Sequence, residues 1–331
     1  MEQHYIGVDL HKAFFQACAL QVTGERVWER RFPRNAEGLA MFRDRCDVTT
    51  RVAVEATGPT WSFVDAIQPT GATLCVVDPR KTRLKAGFAA KTDRLDARRL
   101  ADALRRESIV SVYVPPPAIR ELREVCRGRH QLVRLRSRLV QMIRALLLRS
   151  GVEDAPVSRL YGVRGAAWLA HVHLAPEAER TMRRLERLLR AVHGEIVEAE
   201  SVVATHAAAD PIARALDTMV GIGPVRALTL RAEIGDIARF RHGGRELASY
   251  AGLVTRVDRS ADHCHYGRIT REGSPWLRYV LVEAAVNAMK RSDAIGQWAR
   301  RLARRKGAGI ARVALARVLC GEIVRVWPRS A

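Results

Sequence analysis

Four acidic residues in this 331-residue chain stand where carboxylates could work together. Asp93 and Asp96 lie in Lys91-Thr92-Asp93-Arg94-Leu95-Asp96-Ala97, which opens a run to Arg106 with the periodicity of an amphipathic helix. Three residues apart on a helix, their side chains share a face, with Cβ atoms roughly 5–6 Å apart. Carboxylates held that close repel unless something positive sits between them, so the pair requires a salt-bridge network or a divalent cation. Asp9 follows the apolar run Tyr5-Ile6-Gly7-Val8, and Glu55 follows Val52-Ala53-Val54, each reading as the end of a buried strand. Strand-tip carboxylates facing a helix that carries two more form an oxygen cage suited to Mg²⁺ or Mn²⁺. The bland alternative gives each acid a local task, as a turn former or, for Asp93, as the cap of its helix.

The elements that must position these acids follow from the hydrophobic pattern. Strands at 5–10, 14–20 and 26–32 make a meander, with the turn Thr23-Gly24-Glu25 before the third. A helix at 36–46, a strand at 51–55, a helix at 60–67, a strand at 73–77 and the helix from Asp93 to Arg106 complete the order β-β-β-α-β-α-β-α. That is the layout of a ribonuclease H-like α/β domain, with acids on the first strand, the fourth strand and the last helix. Pro115-Pro116-Pro117 ends the domain, because three prolines neither continue a helix nor fit a central strand. Beyond them, Leu132, Leu135, Leu139, Met142 and Leu146 recur at alternating spacings of three and four. So do Met182, Leu185, Leu189, Val192, Ile196, Ala199 and Val203, which predicts two helices of a coiled coil. The block 151–176 between them carries little signal. With no acid after Glu124 nearby, Arg127, Arg129, Arg134, Arg136, Arg138 and Arg144 read as an unneutralised face for nucleic acid rather than a solvated one.

Composition agrees with such a partner. Lys and Arg total 56 against 35 Asp and Glu, a formal net charge of +21 on a chain that is 48% hydrophobic. A folded protein with that excess suits a polyanion, nucleic acid first and an anionic membrane surface second. No apolar run approaches the ~18 residues of a spanning helix. The N-terminus has neither a basic nor an apolar leader region, so the expected compartment is the cytoplasm, with nucleoid association during activity. Cys18, Cys46, Cys75, Cys126, Cys264 and Cys320 form no C-x-x-C pair, which suits a reducing compartment. His263-Cys264-His265 lacks the fourth ligand and the second spaced pair of a zinc site and reads as polar loop.

In the C-terminal third, Gly221-Ile222-Gly223 lies between helical runs, as a phosphate-facing turn or a plain packing corner. The stretch 254–266 and its exit hold Arg256, Arg259, Ser260, His263, His265 and Arg268 in what reads as a polar loop. A serine among cations there could act as a nucleophile on a phosphate; the ordinary reading is a hydroxyl bonded to backbone. A helical run follows Gly273-Ser274-Pro275, and 300–327 reads as one basic helix with Ile310, Val313, Leu315 and Val318 on its apolar face.

Several segments, taken in order, resemble a known family: Gly7-Val8-Asp9-Leu10-His11-Lys12, Glu55-Ala56-Thr57-Gly58, the Lys91–Ala97 run, Gly221-Ile222-Gly223, Ser249-Tyr250-Ala251-Gly252-Leu253 and Gly267-Arg268-Ile269-Thr270. They are similar to the DEDD transposases of bacterial insertion sequences, the IS one-ten family, over nearly the whole chain. The resemblance implies a RuvC-like catalytic domain at 1–117, a coiled-coil and linker region at 118–207 and a mainly α transposase domain at 208–331 with a helix-hairpin-helix-like segment. It implies a recombinase that moves its insertion sequence, acting on donor and target DNA under the guidance of a structured bridge RNA. The metal-binding acids would be Asp9, Glu55, Asp93 and Asp96, and the nucleophile that links covalently to DNA would be Ser260. Ala261 stands where the family usually has Gly, and the usual proline near Val254-Thr255 is missing, so Ser249 and Ser274 remain alternatives. The family's site is a composite of different subunits, implying a homodimer or homotetramer. Gly221, Gly223, Arg129, Arg134, Arg138, Arg256 and Arg268 would hold nucleic-acid backbones. The rival readings are a hydrolytic RuvC-like junction nuclease using the same acids and water, and a non-catalytic RNA- or DNA-binding scaffold.

Overall fold

Two faces of one sheet organise the N-terminal part of the molecule. The structure, a computed structural model, describes residues 3–78, 92–152, 157–260 and 263–327, the stretch 257–266 by its backbone alone. The chain divides into two compact units, Met1–Val114 and Pro115–Ala331. In the first, β1 (Tyr5–Leu10), β2 (Phe14–Leu20) and β3 (Arg26–Pro33) precede α1 (Ala36–Arg43), β4 (Arg51–Glu55), α2 (Thr60–Ile67), β5 (Thr73–Val77) and α3 (Asp93–Arg105). The sheet order is β3-β2-β1-β4-β5. The first three strands pair antiparallel, while β1, β4 and β5 pair parallel. This succession is the one expected from the hydrophobic pattern.

Side-chain alternation assigns the faces. Ile6, Val8, Val52 and Val54 pack with Phe42 of α1 and Phe63, Val64 and Ile67 of α2. Phe15 and Phe32 stack within this core at 5.2 Å between centroids. Tyr5, Ala53 and Val77 point the other way, beneath Leu100 and Leu104 of α3. Each such Val, Leu, Ile or Phe side chain taken fully out of water contributes on the order of 1.5–3 kcal/mol. Where β1 crosses α3 the residue is Gly7. A Cβ there would lie 2.0 Å from the Ala97 carbonyl oxygen and 2.4 Å from the Ala101 nitrogen, so glycine lets the helix rest directly on the strand.

The second unit begins with the proline run, and its first helix starts at the third proline. Pro117 occupies the first turn of α4 (Pro117–Arg149), where its missing N–H is no loss. The proline run therefore opens a helix as well as closing a sheet domain. There follow α5 (Val163–Ala170), α6 (Pro176–Ala209), α7 (Pro211–Asp217), α8 (Pro224–Ile234), α9 (Gly244–Tyr250), β6 (Thr255–Ser260), β7 (His263–Ile269), α10 (Pro275–Ala288), α11 (Ala294–Lys306) and α12 (Ala308–Val326). Along α6, Met182, Leu185, Leu189, Ile196 and Val203 are buried at the positions their spacing selected. On α4 the stripe is different: Leu139, Ile143 and Leu147 are buried, whereas Leu135 and Met142 are each 45% exposed. The reason lies in the weakly patterned block between the two helices. Leu160, Leu169 and Val172 from that block join Ile143, Leu147, Met182 and Leu189 in one cluster, so α4 packs against more than a two-helix seam.

Two further expectations are corrected. Residues 255–269 form an antiparallel hairpin, β6 with β7, in which Arg259 pairs with Cys264 and Ser260 with His263. The many charged residues there hid a strand pattern. The C-terminal helix is two helices, broken at Gly307, whose φ of +89° ends α11. Its buried face is Leu315, Leu319, Cys320 and Ile323, while Ile310 is 56% and Val318 42% exposed. Among the described residues, no helix is long and apolar enough to cross a membrane.

Candidate active site

Asp9 is the fifth residue of β1, and the alternation that buries Ile6 and Val8 on one face sends it to the other, toward α3. The helix begins on that side. Thr92 caps it, its Oγ1 accepting from the Leu95 N–H at 3.3 Å, so Asp93 is the first helical residue and not the cap. Between the two aspartates stands His11. Its Nε2 lies 3.1 Å from Asp9 Oδ2 and 3.4 Å from Asp93 Oδ1, and its ring stacks on Phe14 at 4.5 Å. A proton on that nitrogen donates to the Asp9 carboxylate, and the Asp93 carboxylate faces the same nitrogen. Among the described residues, Asp9, His11 and Asp93 offer ligand atoms that all lie within 4.8 Å of one another.

Asp96 is close enough to act on Asp9 by its charge, whereas Glu55 shares the sheet face but is not part of the three-residue group. Glu55 ends β4 in register with Val77, whose side chain lies under α3, and β4 pairs with β1 so that Val54 meets Val8. The next residue along each strand is Glu55 and Asp9, on the same face. Asp96 is one turn into α3, and its Oδ1 accepts from Arg99 Nη1 at 3.2 Å. Lys91 lies outside the described residues.

The electrostatics mark Asp9 as the strained member. Burial raises its carboxyl above the ordinary aspartate value, His11 pulls it back by charge and hydrogen bond, and the charges of Asp93 and Asp96 add to the rise. Two carboxylates and an imidazole fit a small divalent cation. Carboxylate oxygen suits Mg²⁺ and Mn²⁺, and imidazole nitrogen suits transition ions. The sequence marks His11 only as part of the run Gly7–Lys12; the signal that singles it out is the acid-x-His spacing at a strand end.

The second unit holds the other candidates. Ser260 is the last residue of β6, and its side chain, like those of His263, Cys264 and His265, is outside the description, as is Ala261. Ser249 is exposed on α9. Ser274 caps α10, its Oγ accepting from the Leu277 N–H at 3.2 Å and donating to Glu233 Oε2 at 2.9 Å, so this hydroxyl is committed to the helix end. The arginine face of α4 is not uniformly unneutralised. Arg127 donates from Nε and Nη2 to the two carboxylate oxygens of Glu233 at 2.8 and 3.1 Å, and Arg129 pairs with Glu200. Those acids come from α8 and α6, far along the chain. Arg136 lies over the Tyr161 ring at 4.2 Å, and Arg144 donates to the Ser158 carbonyl at 3.3 Å. Arg134 and Arg138 are exposed on α4, as are Arg256 and Arg268 on the hairpin.

The two glycines before α8 differ. Gly221 has φ +78°, and a Cβ there would lie 2.6 Å from the Ala284 carbonyl, so it is required by packing against α10. Gly223 is extended, and a Cβ would meet nothing within 4 Å.

Comparison with known proteins agrees with this layout. A DEDD transposase family model matches residues 6–151, and the model described as the transposase IS116/IS110/IS902 family matches residues 213–302. A probable family 20 transposase of Pseudomonas aeruginosa is 28% identical over 324 residues, covering 94% of this chain and 93% of its own. The transposase for insertion sequence element IS1111A of Coxiella burnetii is 27% identical over 329 residues, covering 94% and 86%. A Yersinia enterocolitica transposase, for insertion sequence element IS1328, is 26% identical over 306 residues, covering 88% and 87%. With Asp9, Glu55, Asp93 and Asp96 inside the first match and both glycines of the α8 entry inside the second, the chain belongs to the IS110 family of DEDD transposases.

Proposed function

We propose that this chain cuts and rejoins DNA strands at a divalent-metal site on the α3 face of its N-terminal sheet, with a serine nucleophile from its C-terminal part and a structured bridge RNA as guide. The observation that carries this reading is the meeting of Asp9 and Asp93 on one imidazole, at 3.1 and 3.4 Å. The mixed sheet with helices on both faces is read as RuvC-like and ribonuclease H-like. The regions 1–117, 118–207 and 208–331 are read as catalytic, coiled-coil and transposase parts.

Asp9, His11 and Asp93 would hold the ion, with Glu55 and Asp96 available to complete its shell. When bound, Mg²⁺ or Mn²⁺ polarises the scissile phosphodiester as a Lewis acid. His11 keeps two like charges close enough to share that ion. Ser260 supplies the attacking oxygen: a P–Oγ bond forms, the P–O bond to one sugar breaks, and the released sugar hydroxyl takes up the proton that serine loses. A sugar hydroxyl of another strand then reverses the step. The phosphoserine ester retains bond energy that hydrolysis would release to water. Arg256 and Arg268, on the same hairpin, counter the phosphate charge. Arg129, Arg134, Arg138, Gly221 and Gly223 are proposed to contact donor and target DNA or guide RNA. Completion of the site between subunits is the reason to expect a homodimer or homotetramer.

The test is strand exchange by the full chain with RNA transcribed from the DNA flanking its gene. Ser260→Ala is expected to abolish exchange and to leave no protein covalently trapped on DNA, and Asp9→Asn to abolish cleavage. Recombination by Ser260→Ala would refute the nucleophile assignment. Metal-dependent cleavage that never traps protein on DNA would favour the hydrolytic nuclease.

A further inference from the structure

The second unit contains a cavity of about 270 Å³ between α4, the start of α8 and the first turns of α10, which the strand-transfer chemistry does not use. Three rings meet at it. The His130 imidazole packs edge-on to Trp276 at 4.8 Å and to Tyr279 at 4.4 Å. Burial, with Arg129 and Arg134 close by, lowers the His130 basicity, so the ring is uncharged at neutral pH. Guanidinium groups of Arg129 and Arg226 line the same space, together with one carboxylate, Glu283. With its amide turned to satisfy both partners, Asn287 accepts from the two terminal nitrogens of Arg226 at 2.8 and 3.2 Å, which fixes that cation in place.

The cavity continues into a second space. His130 and Tyr279 also line a groove of about 790 Å³ along α4, bordered by Arg134 and Arg138. Leu135, which the heptad spacing had placed in the core, lines this groove instead. Aromatic rings, fixed donors and a carboxylate acceptor at the end of a cationic groove are complementary to a flat heterocycle attached to a phosphate chain. Bases of single strands are held in this way, stacked on rings and bonded along their edges, while cations follow the backbone.

We infer that this cavity takes one unstacked nucleobase of a single strand whose backbone follows the α4 groove, Tyr279 stacking on its face, His130 bracing the Tyr279 ring edge-on, and Arg226 and Glu283 bonding to the edge of the base. The inference rests on the nucleic-acid part of the function proposed above and adds a subsite to it. An unpaired base of the guide RNA and one at an opened DNA end share this chemistry.

The experiment uses the full chain with short single strands of RNA and of DNA, each carrying one 5-iodouracil, and the same strands with that base removed. Irradiation is expected to cross-link the iodinated base to Tyr279 or Trp276, with the higher yield in the RNA arm or the DNA arm identifying the source. Tyr279 is 40% exposed, so its replacement leaves the fold intact. Tyr279→Ala is expected to weaken binding on the order of tenfold, as loss of one stacked base does, while Tyr279→Phe stays within about twofold. Removing the base should cost the wild type the same factor and cost Tyr279→Ala nothing further. Cross-links confined to other residues, with Tyr279→Ala binding like wild type and a steep salt dependence preserved, would overturn the pocket and leave the transposase reading standing. Failure of both strands to bind at low salt would overturn both. DNA cleavage, assayed separately with Asp9→Asn as control, reports on the acidic cluster alone.

Discussion

Two carboxylates withdrawn from solvent, one in each unit, are treated in opposite ways. Glu233 on α8 is 1% exposed, yet its charge is answered by a bidentate Arg127 and by the Ser274 hydroxyl. Asp9 on β1 is half-buried among like charges, and its hydrogen-bonding neighbour His11 is shared with Asp93. A carboxylate that has been fully paired is doing structural work. One that is held near other acids, with its proton affinity raised, is what the proposed divalent-metal site would use.

The largest effect that sharpens this contrast is on stability. Arg127→Met leaves Glu233 buried without its cation and should cost about 3–5 kcal/mol in denaturant unfolding; a loss under about 1 kcal/mol would mean that the pair is not what answers Glu233. Asp9→Asn should do the reverse: cleavage falls on the order of 10²- to 10³-fold, as when a charge-stabilising group is removed, while the melting temperature holds or rises because a like charge is gone. A melting temperature that drops would show that Asp9 is structural after all. Gly7→Ala changes no charge but inserts a methyl group against the α3 backbone. It should cost about 1–3 kcal/mol and displace Asp93 from Asp9, so divalent-ion binding is lost in a chain that still folds. Calorimetric titration with Mn²⁺ measures that directly.

The smallest effect is a pH dependence with a definite sign. Without metal, the raised Asp9 carboxyl contributes stability below the ordinary aspartate value and loses it as pH rises through its folded value. Mn²⁺ requires the ionised form, so its affinity should fall as pH falls, beginning at a higher pH than for an ordinary aspartate. Melting curves across a pH series with and without Mn²⁺ should therefore slope in opposite senses, and Asp9→Asn should remove the difference.

Much of the first unit was legible because strand alternation and a Thr-capped helix are local signals. Asp9, Glu55 and Asp93 could be placed on their elements from neighbouring apolar runs alone. What joins them was harder to read. Gly7 matters through a backbone approach from residues about 90 positions later, and His11 through two partners on different elements. The second unit was less legible for the same reason. The acids that neutralise Arg127 and Arg129 lie on α8 and α6, and Leu135 loses its core position to a block whose apolar residues show no period. The hairpin at 255–269 was obscured by charge, since its alternation carries arginines and histidines where strands more often carry β-branched residues.

The most direct test of the central claim is anomalous diffraction from crystals of the full chain soaked in Mn²⁺, for wild type and Asp9→Asn. The expected result is a peak within coordination distance of the Asp9 and Asp93 carboxylates in wild type, and none there in the variant. Manganese bound only elsewhere, or bound at this place equally well without the Asp9 carboxylate, would contradict it.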